Sequence, residues 1–156
     1  MSKFLWLVIK QIRFCEVFAK ADRNEHGMPD VALTDEFWSA CSSNRLVRPV
    51  CNDCGTNFFT PQWCCPQCQS ESWKYVTSNG IGTVYSYTVV HRAPTDDLAT
   101  PYVLAIITMD EGWHIMTRLL STDTSINFIG RRAEVAFTRD SRNENRQLPT
   151  FQLRSN

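Results

Sequence analysis

Cys51-Asn-Asp-Cys54 and Cys65-Pro-Gln-Cys68 are two Cys-x-x-Cys pairs with ten residues between them. Each pair can close into a tight knuckle. Two facing knuckles supply four thiolates in a tetrahedron, the closed geometry of structural zinc. Four thiolates also suit iron in a rubredoxin-like centre, so the donor set puts zinc first and iron second. A catalytic zinc keeps an open position and recruits His or carboxylate ligands. Four cysteines leave no such position, so the expected metal is structural. Gly55 follows the first pair, where a knuckle needs a residue tolerant of positive φ. Gln69 holds the matching place after Cys68, which makes the second turn less ideal. Cys64 abuts Cys65 and leaves the register open, but the Cys-Pro-x-Cys spacing favours Cys65. Cys64, Cys15 and Cys41 are then spare thiols, with no base or cation in sequence to mark a nucleophile.

Other residues offer less chemistry. The three histidines are His26, His91 and His114, and no serine or cysteine stands near them in a nucleophile motif. Gly80-Ile81-Gly82 opens a strand and lacks the rest of a dinucleotide fingerprint. Asp96-Asp97 and Asp110-Glu111 fall in turns, where solvation is the simple reading. No independent catalysis is expected. Arg131 and Arg132 flank the Gly130 turn, and Arg139, Arg142 and Arg146 follow. These cations suit the phosphates of a ligand such as coenzyme A, or a solvated loop in which Asp140 and Glu144 offset them. His91 and Arg92, at a strand end, could face a partner subunit or ligand.

Four segments would position these residues. Residues 1–27 carry five basic and three acidic residues, and Phe4, Leu7, Val8, Ile12 and Cys15 fit helical spacing. Residues 28–45 hold a helix with Thr34 as N-cap, running to about Ser43. Its apolar side carries Phe37, Trp38 and Cys41, which dock on the rest of the fold or form a partner or ligand surface. Residues 46–76 are the zinc ribbon. Its core is small, so the metal must supply much of its folding energy. Phe58, Phe59, Trp63 and Trp73 are expected to pack around it or against the barrel. Residues 80–153 read as β: Gly82 to His91, Tyr102 to Met109, Trp113 to Leu120, Ala133 to Thr138 and Leu148 to Leu153. Asp110-Glu111-Gly112 joins the second and third as a hairpin. Five short strands without a helix of length suggest a closed five-stranded OB-type barrel, with a small sandwich as alternative. The fold class is mainly β: an N-terminal helix, a rubredoxin-like zinc ribbon and an OB-fold.

The whole chain of 156 residues has 16 basic and 16 acidic side chains. That neutrality argues against a general nucleic-acid binder. Residues 80–156 are also balanced, with eight of each sign. Single-stranded nucleic-acid binding remains an alternative, with Tyr85, Tyr87 and Trp113 as stacking platforms. A rubredoxin-like electron carrier is another. The apolar run Phe4 to Ile9 is too short for a membrane span, which needs roughly 18 residues, or for a signal-peptide core. A cytoplasmic protein is expected.

The combination of these parts resembles a known family. It pairs a rubredoxin-like zinc ribbon with an acyl-CoA-associated OB-fold and has long been catalogued as a domain of unknown function. The resemblance rests on Leu33 to Ala40, the four cysteines, Gly80 to Pro94, Pro101 to Leu119, Gly130 to Phe137 and Leu148 to Phe151. Gln69, in place of a usual glycine, and the extra Cys64 depart from it. Residues 1–27 lie outside it, and Met28 sits where a member typically starts, which reads as an extension or an upstream start codon. The resemblance implies a non-catalytic partner of thiolase-fold enzymes, including acetyl-CoA acetyltransferases and hydroxymethylglutaryl-CoA synthases. It also implies small subunits or fused modules that accompany sterol-carrier-type thiolases and some enoyl-CoA hydratases, and the small subunit of bacterial complexes that acetylate phloroglucinols. Such a subunit bridges its enzymes or holds an acyl-CoA near them.

Overall fold

The computed structural model describes residues 32–93, 98–121, 123–141 and 143–154. The segment 1–27, with His26 and Cys15, lies outside them, as do Met28, Asp96, Asp97 and Arg142. Residues 32–156 make one compact unit.

Helix α1 spans Ala32–Ser42. Thr34 is therefore inside the first turn and is not the N-cap. The helix ends in a Schellman motif. Arg45 N donates to Ala40 O at 2.9 Å and Asn44 N to Cys41 O at 2.9 Å, with Asn44 at φ +53°. Asparagine tolerates this left-handed geometry better than most side chains, so it stops the helix where glycine is absent.

Strands β1 (Val47–Cys51) and β2 (Trp73–Thr77) pair antiparallel, with Cys51 opposite Trp73. The cysteine loops hang from the open end of this hairpin. An aromatic chain ties helix, ribbon and barrel together. Phe37 meets Trp38 edge-on at 5.0 Å between ring centroids, Phe59 lies 5.4 Å from Phe37, and Trp113 lies 5.4 Å from Phe59. On the other side Phe58, Trp73 and Tyr75 stack edge to face, and the Tyr75 hydroxyl donates to Leu33 O at 2.7 Å. Trp63 departs from the expected packing: it is 57% exposed.

The remaining strands are β3 (Ile81–Val90), β4 (Tyr102–Met109), β5 (His114–Leu120), β6 (Arg132–Asp140) and β7 (Asn143–Leu153). They close a barrel in the order β3-β4-β5-β7-β6, with β6 returning to β3 and β5 running parallel to β7. The barrel, not the sandwich, is the architecture. Along β4 every second residue faces inward, so Val103, Ala105, Ile107 and Met109 are buried. Fully burying such a side chain contributes about 1.5–3 kcal/mol. Gly82 belongs where β3 crosses β4: a Cβ there would lie 2.5 Å from the Thr108 carbonyl oxygen. Phe128, in the β5–β6 connection, is fully buried against Tyr87, their rings 4.9 Å apart.

Several strand limits shift by a residue or two from expectation, and two shifts matter for the candidate residues and the fold. β3 ends at Val90, leaving His91 beyond it. β7 begins at Asn143, not Leu148, because its polar first half forms a hairpin with β6. Backbone pairing needs no apolar pattern, and α1 supports this hairpin from outside. The Ser42 hydroxyl donates to Asn145 O, and the Arg146 guanidinium lies 4.4 Å from the Trp38 ring centroid. No helix among the described residues is long and apolar enough to cross a membrane.

Candidate metal centre

The two knuckles are built alike. Cys51 N donates to Thr56 O and Gly55 N to Cys51 O. Cys65 N donates to Ser70 O and Gln69 N to Cys65 O. Gly55 has φ +73° and Gln69 φ +63°. Gln69 thus adopts the turn that glycine takes in the first knuckle.

These turns aim four sulfurs inward. The Sγ atoms of Cys51, Cys54, Cys65 and Cys68 lie within 4.8 Å of one another. Cys51 and Cys68 are 3.5 Å apart, and Cys54 and Cys65 are 3.6 Å apart. A disulfide needs about 2.05 Å, so these are not bridged pairs. Sulfurs in a tetrahedron around zinc at 2.3 Å stand about 3.8 Å apart, which the cluster fits. Cys64 is outside the group, so the register ambiguity closes on Cys65. The Thr56 hydroxyl and backbone N–H pull the Cys54 thiol down to about 6. The Ser70 backbone N–H favours a thiolate at Cys68, yet the adjacent Cys54 sulfur pushes Cys68 up to about 12. Four sulfurs this close share their charge unfavourably unless a cation sits among them. Cys41 is walled into the core, and burial pushes its thiol up to about 11, far from a nucleophile's range.

A polar joint holds the ribbon on the barrel. Glu111 Oε1 accepts from the Ser78 hydroxyl at 2.9 Å and from Asn79 N at 2.7 Å, and faces Arg48 at 3.6 Å. Arg48 also donates to Asn57 Oδ1 and Thr77 O, while Asn57 Nδ2 donates to Glu111 O. Glu111 is therefore structural, not a solvated turn residue. Asp110 beside it is engaged too. Arg132 grips both its oxygens at 2.7 Å, which holds the Asp110 carboxyl below its usual range. Nothing in the order of residues flagged this joint, because its members lie 9 to 63 positions apart and meet only across the ribbon–barrel boundary.

The other candidate residues do not converge. Phe37 is buried and Trp38 half-buried under Arg146, so both dock α1 on the fold. His91 and Arg92 are exposed just past the end of β3. Arg131 is exposed and Arg132 pairs with Thr83 near the start of the same strand. About seven strand residues, roughly 23 Å, separate the two groups. Of the proposed stacking platforms, Trp113 is buried and the Tyr87 ring packs on Phe128, with its hydroxyl donating to Ile126 O.

A four-cysteine ribbon joined to a five-stranded OB barrel defines the class of protein. The family described as the ChsH2 C-terminal OB-fold domain matches residues 75–138. A DUF35 domain-containing scaffold protein of Methanocaldococcus jannaschii is 36% identical over 96 residues, covering 60% of this chain and 68% of that one. The chain belongs to the DUF35 family. A probable enoyl-CoA hydratase alpha subunit of Thermomonospora curvata is 38% identical over 93 residues, but the match spans 29% of its length. A solved chain described as the Ltp2-ChsH2(DUF35) aldolase superposes with a TM-score of 0.71 at 30% identity, covering 81% of this chain and 98% of that chain. A DUF35 protein of unknown function from Sulfolobus solfataricus shares the fold, with a TM-score of 0.56 at 19% identity.

Proposed function

We propose that this chain is a non-catalytic accessory subunit of a thiolase-fold acyltransferase complex, with one structural zinc held by Cys51, Cys54, Cys65 and Cys68. The observation that carries the reading is the likeness to the chain described as the Ltp2-ChsH2(DUF35) aldolase, over 81% of this chain and 98% of that one. The scaffold description of the archaeal relatives supports the same role. Zinc, when bound, cross-links the two knuckles and supplies no reaction. The chain's residues then do mechanical work: the Arg48–Glu111 joint and the Phe37–Phe59–Trp113 rings keep ribbon and barrel in one orientation. A rigid two-part body suits holding or bridging enzyme subunits. Of the candidate cations, Arg92 and Arg131 are the exposed ones open to an acyl-CoA phosphate, since Asp110 already holds Arg132.

Affinity purification of the chain at native expression level, with mass spectrometry of what accompanies it, tests the role. A thiolase-fold or hydroxymethylglutaryl-CoA-synthase-like enzyme in stoichiometric amount is the expected result. A chain that purifies alone or with nucleic acid overturns it.

A further inference from the structure

Among the described residues, Trp63, Tyr85, Met116 and Ile129 are large apolar side chains left 57–68% exposed. Single exposed side chains of this kind are ordinary, but an aligned group is not. Three of these four fall in one band across the barrel. Ser86 pairs with Ile106, and Ile106 with Met116. Tyr85 points outward in alternation with the buried Val84, and it is the extra residue of a β-bulge that keeps the next residue, Ser86, paired with Ile106. Gly130 N donates to Val84 O, so the Ile129–Gly130 turn lies beside the same stretch of β3.

The one charged side chain on β3, β4 and β5 is a cation, Arg118, and Arg132 takes up Asp110, the carboxylate beside Thr83. β3, β4 and β5 contain no Asp or Glu. His114 meets the Tyr85 ring at 5.8 Å, and the Arg118 guanidinium lies 5.5 Å from the Tyr102 ring centroid. Beyond β3 the exposed Arg92 adds a second cation, beside His91. A second copy of the chain would set these cations against each other, which is unfavourable. Single-stranded nucleic acid needs several exposed rings, and Tyr87 and Trp113 face inward. The occupant that fits is a protein surface with an apolar centre and carboxylates at its rim.

We infer that the outer face of β3–β5, centred on Tyr85 and Met116, is where this chain docks on its enzyme partner. The inference rests on the accessory-subunit reading and assigns that role to one face of the barrel, not to the ribbon.

The test uses the full chain and the thiolase-fold enzyme recovered with it. Tyr85→Glu, Met116→Glu and, on the ribbon, Trp63→Glu are each titrated against that purified enzyme by calorimetry. All three positions are exposed, and metal content and melting temperature confirm that the variants fold. Tyr85→Glu and Met116→Glu should each weaken binding at least about tenfold, while Trp63→Glu stays within about twofold. Equal binding by all three variants and the wild type overturns the docking face and leaves the accessory role standing. Wild-type dimers in sedimentation velocity that Met116→Glu abolishes, or low-salt oligonucleotide binding lost in the same variants, overturn it in favour of those occupants. Failure of the wild type to bring down any thiolase-fold enzyme overturns the accessory role and this inference together.

Discussion

Arg48 on the ribbon hairpin and Glu111 in the β4–β5 turn approach to 3.6 Å, with side chains only 13% and 17% exposed. Glu111 also takes hydrogen bonds from Ser78 and Asn79. Removing one side of such a pair leaves the other charge poorly solvated. Glu111→Ala should lower stability by about 2–4 kcal/mol. The urea midpoint measures it, and a loss below the scatter of the wild type would show that the joint is dispensable.

The four-sulfur cluster predicts one metal per chain. Elemental analysis of the purified protein should return about one zinc and little iron. Cys54→Ser or Cys68→Ser should lose the metal and unfold the ribbon, because the metal supports its fold. A red-brown protein with iron–thiolate absorption would reassign the metal.

Gln69 and Gly55 share a left-handed backbone, and this makes a matched pair of variants. Gln69→Gly should stabilise the chain by about 0.5–1 kcal/mol, the strain relieved less the added freedom of the unfolded chain. Gly55→Ala should cost about 1–2 kcal/mol although nothing lies within 4 Å of its would-be Cβ. Thermal melts of both at fixed zinc decide the matter, and the same sign for both would refute it.

Gly82→Ala meets a different obstacle. Its Cβ would press on the Thr108 carbonyl and on Ile107 Cγ2 at 2.7 Å. A loss of about 1–3 kcal/mol is expected from forcing β3 off β4. Retained wild-type melting would mean the barrel yields there at no cost.

Alkaline pH should weaken the fold. Burial pushes Cys41 from 9.0 up to about 11 and Tyr75 from 10.0 up to about 12. Both raised groups favour the protonated fold. Their contribution is complete below about pH 9 and is lost as pH rises to about 12, because the unfolded chain ionises first. Urea midpoints from pH 8 to 11 should fall, and Tyr75→Phe should flatten the upper part of that fall. An unchanged slope would remove Tyr75 from the account.

The metal-binding pattern and most strands were legible in the chain because they depend on local spacing. Cys-x-x-Cys closes within one turn, and the alternation from Tyr102 to Met109 follows directly from a half-buried strand. The aromatic pair Phe37-Trp38 marked a docking helix in the same way. Three features were not legible. Thr34 looks like a cap, yet the helix begins at Ala32. The polar first half of β7 lacks any periodic signal, and pairing with β6 orders it. Trp63 and Trp113 have the same composition but opposite burial, because only Trp113 lies beneath Phe59.

The sequence by itself determined the two Cys-x-x-Cys spacings, the helix–ribbon–barrel order and the inward face of the central strands. Each follows from spacing along the backbone. Only the tertiary structure decided that Gln69 takes a glycine's conformation and that Cys65, not Cys64, joins the cluster. It alone made Glu111 a joint between ribbon and barrel and split His91–Arg92 from Arg131–Arg132. Those outcomes depend on which strands pair and in what register. Closure of the barrel sets that register through contacts between residues far apart in the chain.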